Sequence, residues 1–480
     1  MKLAEILFSV ALGTGFTACS SSQPAAEQLV ILHTNDTHSH IDPLADSDLG
    51  GVARRKVLID SVRNARENVL VVDAGDIVQG TLYFHLYRGA VEQQMLNELG
   101  YDIQILGNHE FDNGIDGLSE MLAEARPTLL SSNYAFADSL LASRFSPYVI
   151  KEYGDKRVGL FALNLNPKGM IAEGNYDGVE YQPWKAATER VVDELRNKEK
   201  CDYVIAVTHI GVEGSSENPE LFGDVQVARQ TSGIDLIIGG HSHTRLDPAL
   251  KEVNAAGDTV VIVQTGKYGT ALGEITLDLA SGAISERLIP VDSRLDSRRD
   301  PELLAAIEPY RAGIDSLYNH EIFRLEAAEP LNGRSPQFHD FVARFIADRG
   351  QQVLGKPVDV AIGNKGSLRT TWAPGAVSEG AVLDMMPFRN HIVVLELKGS
   401  DLLEAFEVME ARGGDIAGGL TDPKLIDPER RYRVATIDYL ANGGDYMTPL
   451  TRGTRLAESR QWVFDDLLDY LRANPVIEIK

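Results

Sequence analysis

The chain has 480 residues, too many for one ordinary hydrophobic core, so two domains are expected. Its 44% hydrophobic and 24% charged residues are those of a soluble globular protein. A formal net charge of −24 argues against binding a nucleic-acid polymer, but a small anionic substrate fits wherever metal ions or a few arginines reverse the potential locally.

Residues 1–19 form a targeting segment: Lys2, an apolar run from Ile6 to Phe16, then Thr17-Ala18-Cys19. The pattern resembles a bacterial lipoprotein signal, with Cys19 as the lipidated first residue of the mature chain. A cleaved secretory signal with an incidental cysteine is the plainer alternative. Residues 20–27, beginning Ser20-Ser21-Ser22, read as a flexible tether. No later run is long and apolar enough to span a membrane. The expected location is the periplasm, outer membrane or cell surface, with membrane contact only through the anchor. The other cysteine, Cys201, precedes an apolar strand and is expected to be a buried, inert thiol.

The first domain is expected over 28–292. Leu29–Leu32 is a strand ending in His33-Thr34-Asn35-Asp36-Thr37-His38. A helix from Val52 to Arg66 leads to the strand Val69–Val72 and Asp73-Ala74-Gly75-Asp76. A second helix, Ala90–Leu99, precedes Ile103–Leu106 and Gly107-Asn108-His109-Glu110-Phe111-Asp112. Further strands are Leu129–Leu130, Val158–Leu163, Tyr203–Val207 ahead of Thr208-His209, and Leu236–Ile238 ahead of Gly239-Gly240-His241-Ser242-His243; a helix runs around Trp184–Lys198. Near-continuous apolar strands alternating with helices indicate α/β layers with sheets covered on both faces. Ligands gather at the carboxyl ends of such strands, where every polar cluster just named lies.

Residues 293–322 are expected as a linker helix, with Asp300 as N-cap and Pro301 at its first position. The second domain is expected over 323–480. Phe338, Phe341, Val342, Phe345 and Ile346 mark a helix face expected to stop at Gly350. Val358–Ile362 and His391–Leu397 are strands, Ser400 is expected to cap a helix over Asp401–Ala411, and Trp462 to Leu471 form a last amphipathic helix.

Collected together, the strand-end side chains are Asp36, His38, Asp76, Asn108, His209, His241 and His243. Imidazoles with carboxylates suit Zn, Mn, Fe or Co. Asp76 could bridge two ions, as two-metal phosphoesterases require at about 3.5–4 Å separation. His109 leaves the chain on a different vector from Asn108 and is free for substrate, with Asp112 able to fix its tautomer. Glu110 and Phe111 read as packing and hydrogen-bonding support. Each cluster alone has a plain structural reading, such as a helix cap or a satisfied core histidine. Five of them, all after apolar strands of one domain, do not.

Asp36-Thr37-His38, Gly75-Asp76, Gly107-Asn108-His109-Glu110, Thr208-His209 and Gly240-His241-Ser242-His243 resemble the five blocks of the calcineurin-like metallophosphoesterases. Asn35-Asp36 with Asn108-His109-Glu110-Phe111-Asp112 more narrowly resembles the bacterial 5′-nucleotidase and UDP-sugar hydrolase family. That resemblance implies a four-layer α/β/β/α metallophosphoesterase domain joined by a helix to a smaller α+β substrate-binding domain. It implies two divalent metal ions (Zn, Mn, Co or Fe), one held by Asp36, His38, Asp76 and His243, the other by Asp76, Asn108, His209 and His241. His243 stands where nucleotidases usually have Gln and related cyclic-nucleotide phosphodiesterases have His.

In the second domain, Asn364-Lys365-Gly366-Ser367-Leu368-Arg369 resembles the family's Asn-Gly-Gly-Gly-Ile-Arg loop, which implies that Arg369 holds phosphate with help from Asn364. Pro387-Phe388-Arg389-Asn390 resembles its Pro-Phe-Gly-Asn, which implies Phe388 on one face of the base and Asn390 on its edge. Tyr439 matches the second stacking aromatic and Asp445 the acceptor for the ribose hydroxyls. Arg334 is expected as a second phosphate arginine. The implied activity is extracytoplasmic release of phosphate from 5′-nucleotides by in-line attack of a metal-held hydroxide, with His109 stabilising the developing charge. Two rivals share the scaffold: a 2′,3′-cyclic-nucleotide phosphodiesterase with 3′-nucleotidase activity, and a UDP-sugar hydrolase. A surface binding protein on an inactive hydrolase scaffold is the rival of another class.

Overall fold

Residues of the first strand alternate between two cores, and that alternation explains the architecture. The computed structural model describes residues 28–44, 47–214 and 222–479; the signal segment, Cys19 and the tether lie outside them. In the strand Gln28–Thr34, Leu29 and Ile31 face one core while Val30 and Leu32 face another. The first core lies between two sheets; the second lies under helices that include Val57, Val91, Met95 and Leu99. A strand buried on both faces must be apolar throughout, as this one is.

The sheet holding this strand is seven-stranded, in the order Ile284–Pro290, Ala271–Asp278, Gln28–Thr34, Val69–Asp73, Ile103–Ile105, Thr128–Leu130 and Phe145–Ser146. Its last five strands are parallel, and an antiparallel hairpin closes the other edge. The second sheet is six-stranded, with Lys156–Asn164, Tyr203–His209, Leu236–Ile238 and Thr259–Val263 parallel at its centre. Leu160, Ile205, Val207 and Ile238 point at the first sheet; Phe161, Val204, Ala206 and Ile237 point at the helices Trp184–Asp193 and Asp224–Gln230. The order of layers is therefore helix, sheet, sheet, helix. Cys201 is a buried free thiol in the outer core of the second sheet.

Asp300 caps the helix Pro301–Tyr318, its side chain accepting from the Glu302 amide, with Pro301 in the first turn. This helix touches both halves of the chain. Tyr87 donates to the Tyr310 carbonyl at 3.0 Å, Arg311 pairs with Asp42, and Tyr318 bonds Asp384. Beyond it, the helix Pro336–Leu354 covers a five-stranded sheet in the order Ile416–Gly419, Val360–Gly363, Arg431–Ile437, Ile392–Lys398 and Thr454–Glu458. A three-stranded sheet joins Gly375–Ser378, Glu321–Ala327 and the C-terminal strand Val476–Ile479. Among the described residues, no helix is long and apolar enough to cross a membrane.

Three local expectations are corrected. The Phe338 helix does not stop at Gly350; it continues to Leu354 and ends on Gly355 in the left-handed conformation. Gly350 is there for close approach, because a Cβ at that position would lie 2.6 Å from the Cβ of Ala435 on the sheet below. Ser400 is not an N-cap either. The helix begins at Gly399, and its first amides are satisfied by the backbone carbonyls of Arg430 and Pro428 at 2.8 and 2.9 Å, which makes a side-chain cap redundant. Trp462 is the N-cap of the last helix rather than part of its apolar face; the buried stripe is Val463, Phe464, Leu467, Leu468 and Leu471.

The helix–sheet approach at Gly350 yields a test. Gly350→Val should lower the unfolding free energy by about 1–3 kcal/mol through overpacking, as measured by urea denaturation. Unaltered stability would show that the helix is not seated on Ala435.

Candidate active site

Both sheets of the first domain deliver side chains to one place. From the first sheet, Asp36 and His38 follow the Gln28 strand, Asp76 follows the Val69 strand, and Asn108 and His109 follow the Ile103 strand. From the second, His209 ends the Tyr203 strand, and His241 and His243 follow the Leu236 strand. The loops that carry them are unusual. Asp36, His38, Asp76, His241 and His243 all have positive φ, between 46° and 78°. Each such non-glycine residue costs of order 1 kcal/mol and persists only where its surroundings fix it.

Those surroundings can be named. Glu110 is buried and accepts from the amides of Asp76 at 3.1 Å and Ile77 at 2.8 Å, and from that of Gly107. Burial and the Asp76 charge push its pKa up to about 8. Asn35 donates to Asp36 Oδ2 at 2.6 Å and to the Gly266 carbonyl at 2.8 Å, and accepts from Thr265. Gly75 lies so close to the neighbouring loop that a Cβ would sit 2.6 Å from the Gly107 nitrogen. Glu110 thus fills the supporting role expected of it. Sequence reasoning misses Asn35 as a positioning group; its adjacency to Asp36 is the available signal.

The ligand atoms form two clusters, Asp36–His38–His243 and Asp76–His209–His241, each with donor atoms within 4.8 Å of one another. In the first, His38 Nε2 lies 2.8 Å from His243 Nε2, and His243 Nε2 lies 3.3 Å from Asp36 Oδ1. In the second, His209 Nε2 lies 3.1 Å from Asp76 Oδ2, and Asn108 Oδ1 is 2.9 Å from His241 Nδ1. Asp76, a member of the second, also faces His38 of the first. Its Oδ1 accepts from the His109 amide at 2.9 Å, which leaves Oδ2 facing His209 at 3.1 Å and His38 at 3.8 Å.

The donor set fits metal ions. His209 Nδ1 donates to the Ala74 carbonyl at 2.8 Å, so in the neutral ring Nε2 carries a lone pair; it is a buried nitrogen with no hydrogen-bond partner. His38 Nδ1 likewise faces the Val78 carbonyl at 3.2 Å, which turns its Nε2 lone pair toward His243. Acceptors aimed at acceptors in a buried space need a positive charge between them, a proton or a metal ion. The pKa shifts report the same demand. Burial pulls His209 down, but Asp76 outweighs it and pushes the pKa up to about 10; burial, reinforced by His209, lowers His241 to about 4.

Beside the clusters, His109 Nδ1 bonds Asp112 Oδ2 at 2.9 Å, so its Nε2 is left for the cleft. Burial alone would lower the His109 pKa, yet Asp112 and Asp76 together hold it above the ordinary histidine value. The cleft, about 550 Å³, is lined by both halves of the chain: Asp76, Asn108, His109, His241 and His243 on one side, and Asn364, Arg369, Phe388, Asn390, Tyr439 and Asp445 on the other. Arg369 donates to Gln79 Oε1 at 2.6 Å and sits 5.2 Å from the Phe388 ring centre. Asp445 accepts from Asn364 at 2.8 Å and pairs with Arg412 at 3.1 Å, while its amide donates to the Gly169 carbonyl across the cleft. Tyr439 has one face covered by Gly444, where a Cβ would collide with the ring at 2.5 Å. In the Asn364 loop, Lys365 turns out to the Gly413 carbonyl and Ser367 bonds the Asn364 carbonyl, so both replacements of glycine are accommodated in a 3-10 turn.

One expected residue is elsewhere. Arg334 is exposed and does not line the cleft; its loop is closed by Asn332, and Gly333 packs against Leu368, so the arginine stays in solvent. Arg88, Arg389 and Arg412 line the cleft instead. Of these, only Arg389 leaves a trace in the sequence, as the departure from Pro-Phe-Gly-Asn.

Comparison with known proteins agrees with this geometry. Residues 29–245 match the calcineurin-like phosphoesterase model and residues 324–420 the 5′-nucleotidase C-terminal domain. The trifunctional nucleotide phosphoesterase YfkN of Bacillus subtilis is 25% identical over 94% of this chain, which spans only 34% of that protein. Human 5′-nucleotidase is 30% identical over 82% of this chain and 74% of its own length. The structure of a 5′-nucleotidase precursor from Thermus thermophilus superposes with a TM-score of 0.79 at 27% identity, covering 94% of this chain and 98% of that one. At that identity and coverage the chain belongs to the 5′-nucleotidase family and is a metal-dependent phosphoric ester hydrolase, with a calcineurin-like phosphoesterase domain followed by a 5′-nucleotidase C-terminal domain.

Proposed function

We propose that this protein is an extracytoplasmic two-metal phosphohydrolase that releases phosphate from 5′-nucleotides. The observation that carries the reading is the position of Asp76 Oδ2 between two ligand clusters, at the floor of a cleft lined by both halves of the chain. The division is 28–292 for the metal-holding domain, 293–322 for the linker and 323–480 for the substrate-binding domain. Its extracytoplasmic place rests on the signal-like residues 1–19 and the anchor at Cys19.

Asp36, His38, Asp76 and His243 would hold one divalent ion, and Asp76, Asn108, His209 and His241 the other. When bound, Zn, Mn, Co or Fe at these positions polarises phosphoryl oxygens and lowers the pKa of water. The remaining chemistry belongs to the chain. Arg369, directed by Gln79, grips the phosphate by charge-assisted bonds. His109, whose pKa Asp112 and Asp76 raise, presents Nε2 to the phosphoryl group and then to the departing ribose oxygen. Phe388 and the open face of Tyr439 clamp the base, each contact contributing on the order of 1–3 kcal/mol of stacking. Asn390 meets the base edge, and Asp445, fixed by Asn364 and Arg412, accepts from the ribose hydroxyls. The complete ligand set and the intact His109–Asp112 pair argue against an inactive binding protein.

His243, paired with His38, favours one second reading, the 2′,3′-cyclic-nucleotide phosphodiesterase with 3′-nucleotidase activity. A panel of 5′-AMP, 3′-AMP, cyclic 2′,3′-AMP and UDP-glucose, with added Mn or Zn, separates these activities and the UDP-sugar hydrolase. Fastest phosphate release is expected from 5′-AMP, with loss of activity and a lower unfolding temperature after chelation. Undiminished turnover in the chelated sample would refute the metal-dependent mechanism. His109→Ala should cut kcat by about 10²–10³-fold with little change in KM, because it removes a bond made in the transition state; a pure KM effect would exclude that role. Arg369→Ala should raise KM for 5′-AMP about tenfold or more, the loss of a charged hydrogen bond worth roughly 1.5–3 kcal/mol. An unaltered KM would remove Arg369 from the site.

A further inference from the structure

Besides Arg369, which bonds Gln79, two guanidinium groups of the cleft have no carboxylate partner among the described residues. Arg88 follows the helix Leu82–Tyr87 in the first domain; Arg389 follows Phe388 in the second. Both line the cleft that holds His109, and among the described residues neither forms an ion pair. Aspartate and glutamate outnumber lysine and arginine by 70 to 46 in this chain, so an arginine beside a cleft has abundant possible partners. Arg389 is also fixed in direction. It donates to Asn113 Oδ1 at 3.2 Å and to the His85 carbonyl at 3.4 Å, both on the opposite domain. Arg88 approaches the same spot, since its guanidinium lies 3.8 Å from where a Cβ on Gly117 would be, and Gly117 packs on Asn113. Burial and the neighbouring Arg88 charge together lower the Arg389 pKa.

We propose that Arg88 and Arg389 form a second anion subsite, which grips a phosphate group of the ligand other than the one held by Arg369 and the ligand clusters. The proposal rests on the nucleotide-hydrolase reading for the placement of the first phosphate. Bringing two guanidiniums across a domain cleft is repulsive, and a doubly charged phosphate between them converts that repulsion into two charge-assisted contacts. The second phosphate has two possible sources, a longer 5′-phosphate chain or a phosphate on the ribose. Arg389 takes the position of a glycine in the family motif, so this grip is a feature of this chain's own sequence.

The test is calorimetric binding of the non-hydrolysable methylene-phosphonate analogues of AMP, ADP and adenosine 3′,5′-bisphosphate to the full-length, Mn-loaded protein, in which nothing is turned over. The wild type should bind ADP or the bisphosphate about tenfold more tightly than AMP. Whichever ligand shows the preference identifies the source of the phosphate. Arg88→Ala and Arg389→Gln should each reduce that ratio several-fold, and the double variant should bring it close to one. Equal affinities in the wild type would overturn the proposal. So would variants that weaken AMP and the two-phosphate ligands by the same factor, because Arg389 would then be only a bridge between domains. Among the described residues the Arg88 side chain makes no hydrogen bond across the cleft, so its effect distinguishes a ligand grip from such a bridge. Failure of the wild type to release phosphate from any nucleotide would refute the hydrolase reading, whereas the binding ratio addresses the subsite alone.

Discussion

The Asp76 carboxylate is the constraint around which the rest is arranged. One oxygen is committed to the His109 amide, and the other must face His209 from the second sheet and His38 from the first. Both sheets therefore have to end at the same level, and the loops leaving them have to turn back sharply. The positive φ angles at Asp36, His38, Asp76, His241 and His243 are the backbone consequence. Glu110 holds three amides of the converging loops in place, and Asn35 holds Asp36. A buried set of carboxylates and imidazoles is costly unless positive charge neutralises it, which suits this part of the fold to metal ions.

Electrostatics explains why a second domain is needed. The chain as a whole is strongly acidic, and an anionic ligand approaching it is repelled at a distance. Arg369, Arg389 and Arg412 come from the second domain and gather on the cleft wall facing the clusters. Two of them reach across: Arg369 to Gln79, and Arg389 to Asn113 and the His85 carbonyl. The binding surface and the relative position of the domains are thus set by the same side chains.

Much of this is legible in the residues. The near-continuous apolar strands announce sheets covered on both faces, and Asp300-Pro301 marks the start of the connecting helix. Other local signals mislead. Gly350 resembles a helix end because glycine is a common terminator, but its role is to let a helix approach Ala435 on a distant strand. Ser400 resembles a cap because serine often is one, but backbone carbonyls from the Asp427–Arg430 turn already occupy those amides. Arg334 resembles a phosphate ligand by its place in the chain, and the turn at Asn332 leaves it in solvent.

The sequence by itself determined the strand alternation and which polar side chains stand at the strand ends, because both depend on local order: which residue faces which side of a strand, and which residue follows its end. Tertiary structure alone decided which Asp76 oxygen faces both clusters, which amides Glu110 holds, that Asn35 fixes Asp36, and that Arg88, Arg389 and Arg412 line the cleft in place of Arg334. Those outcomes depend on how loops from distant parts of the chain pack against one another, a relation that periodicity and spacing along a single strand do not encode.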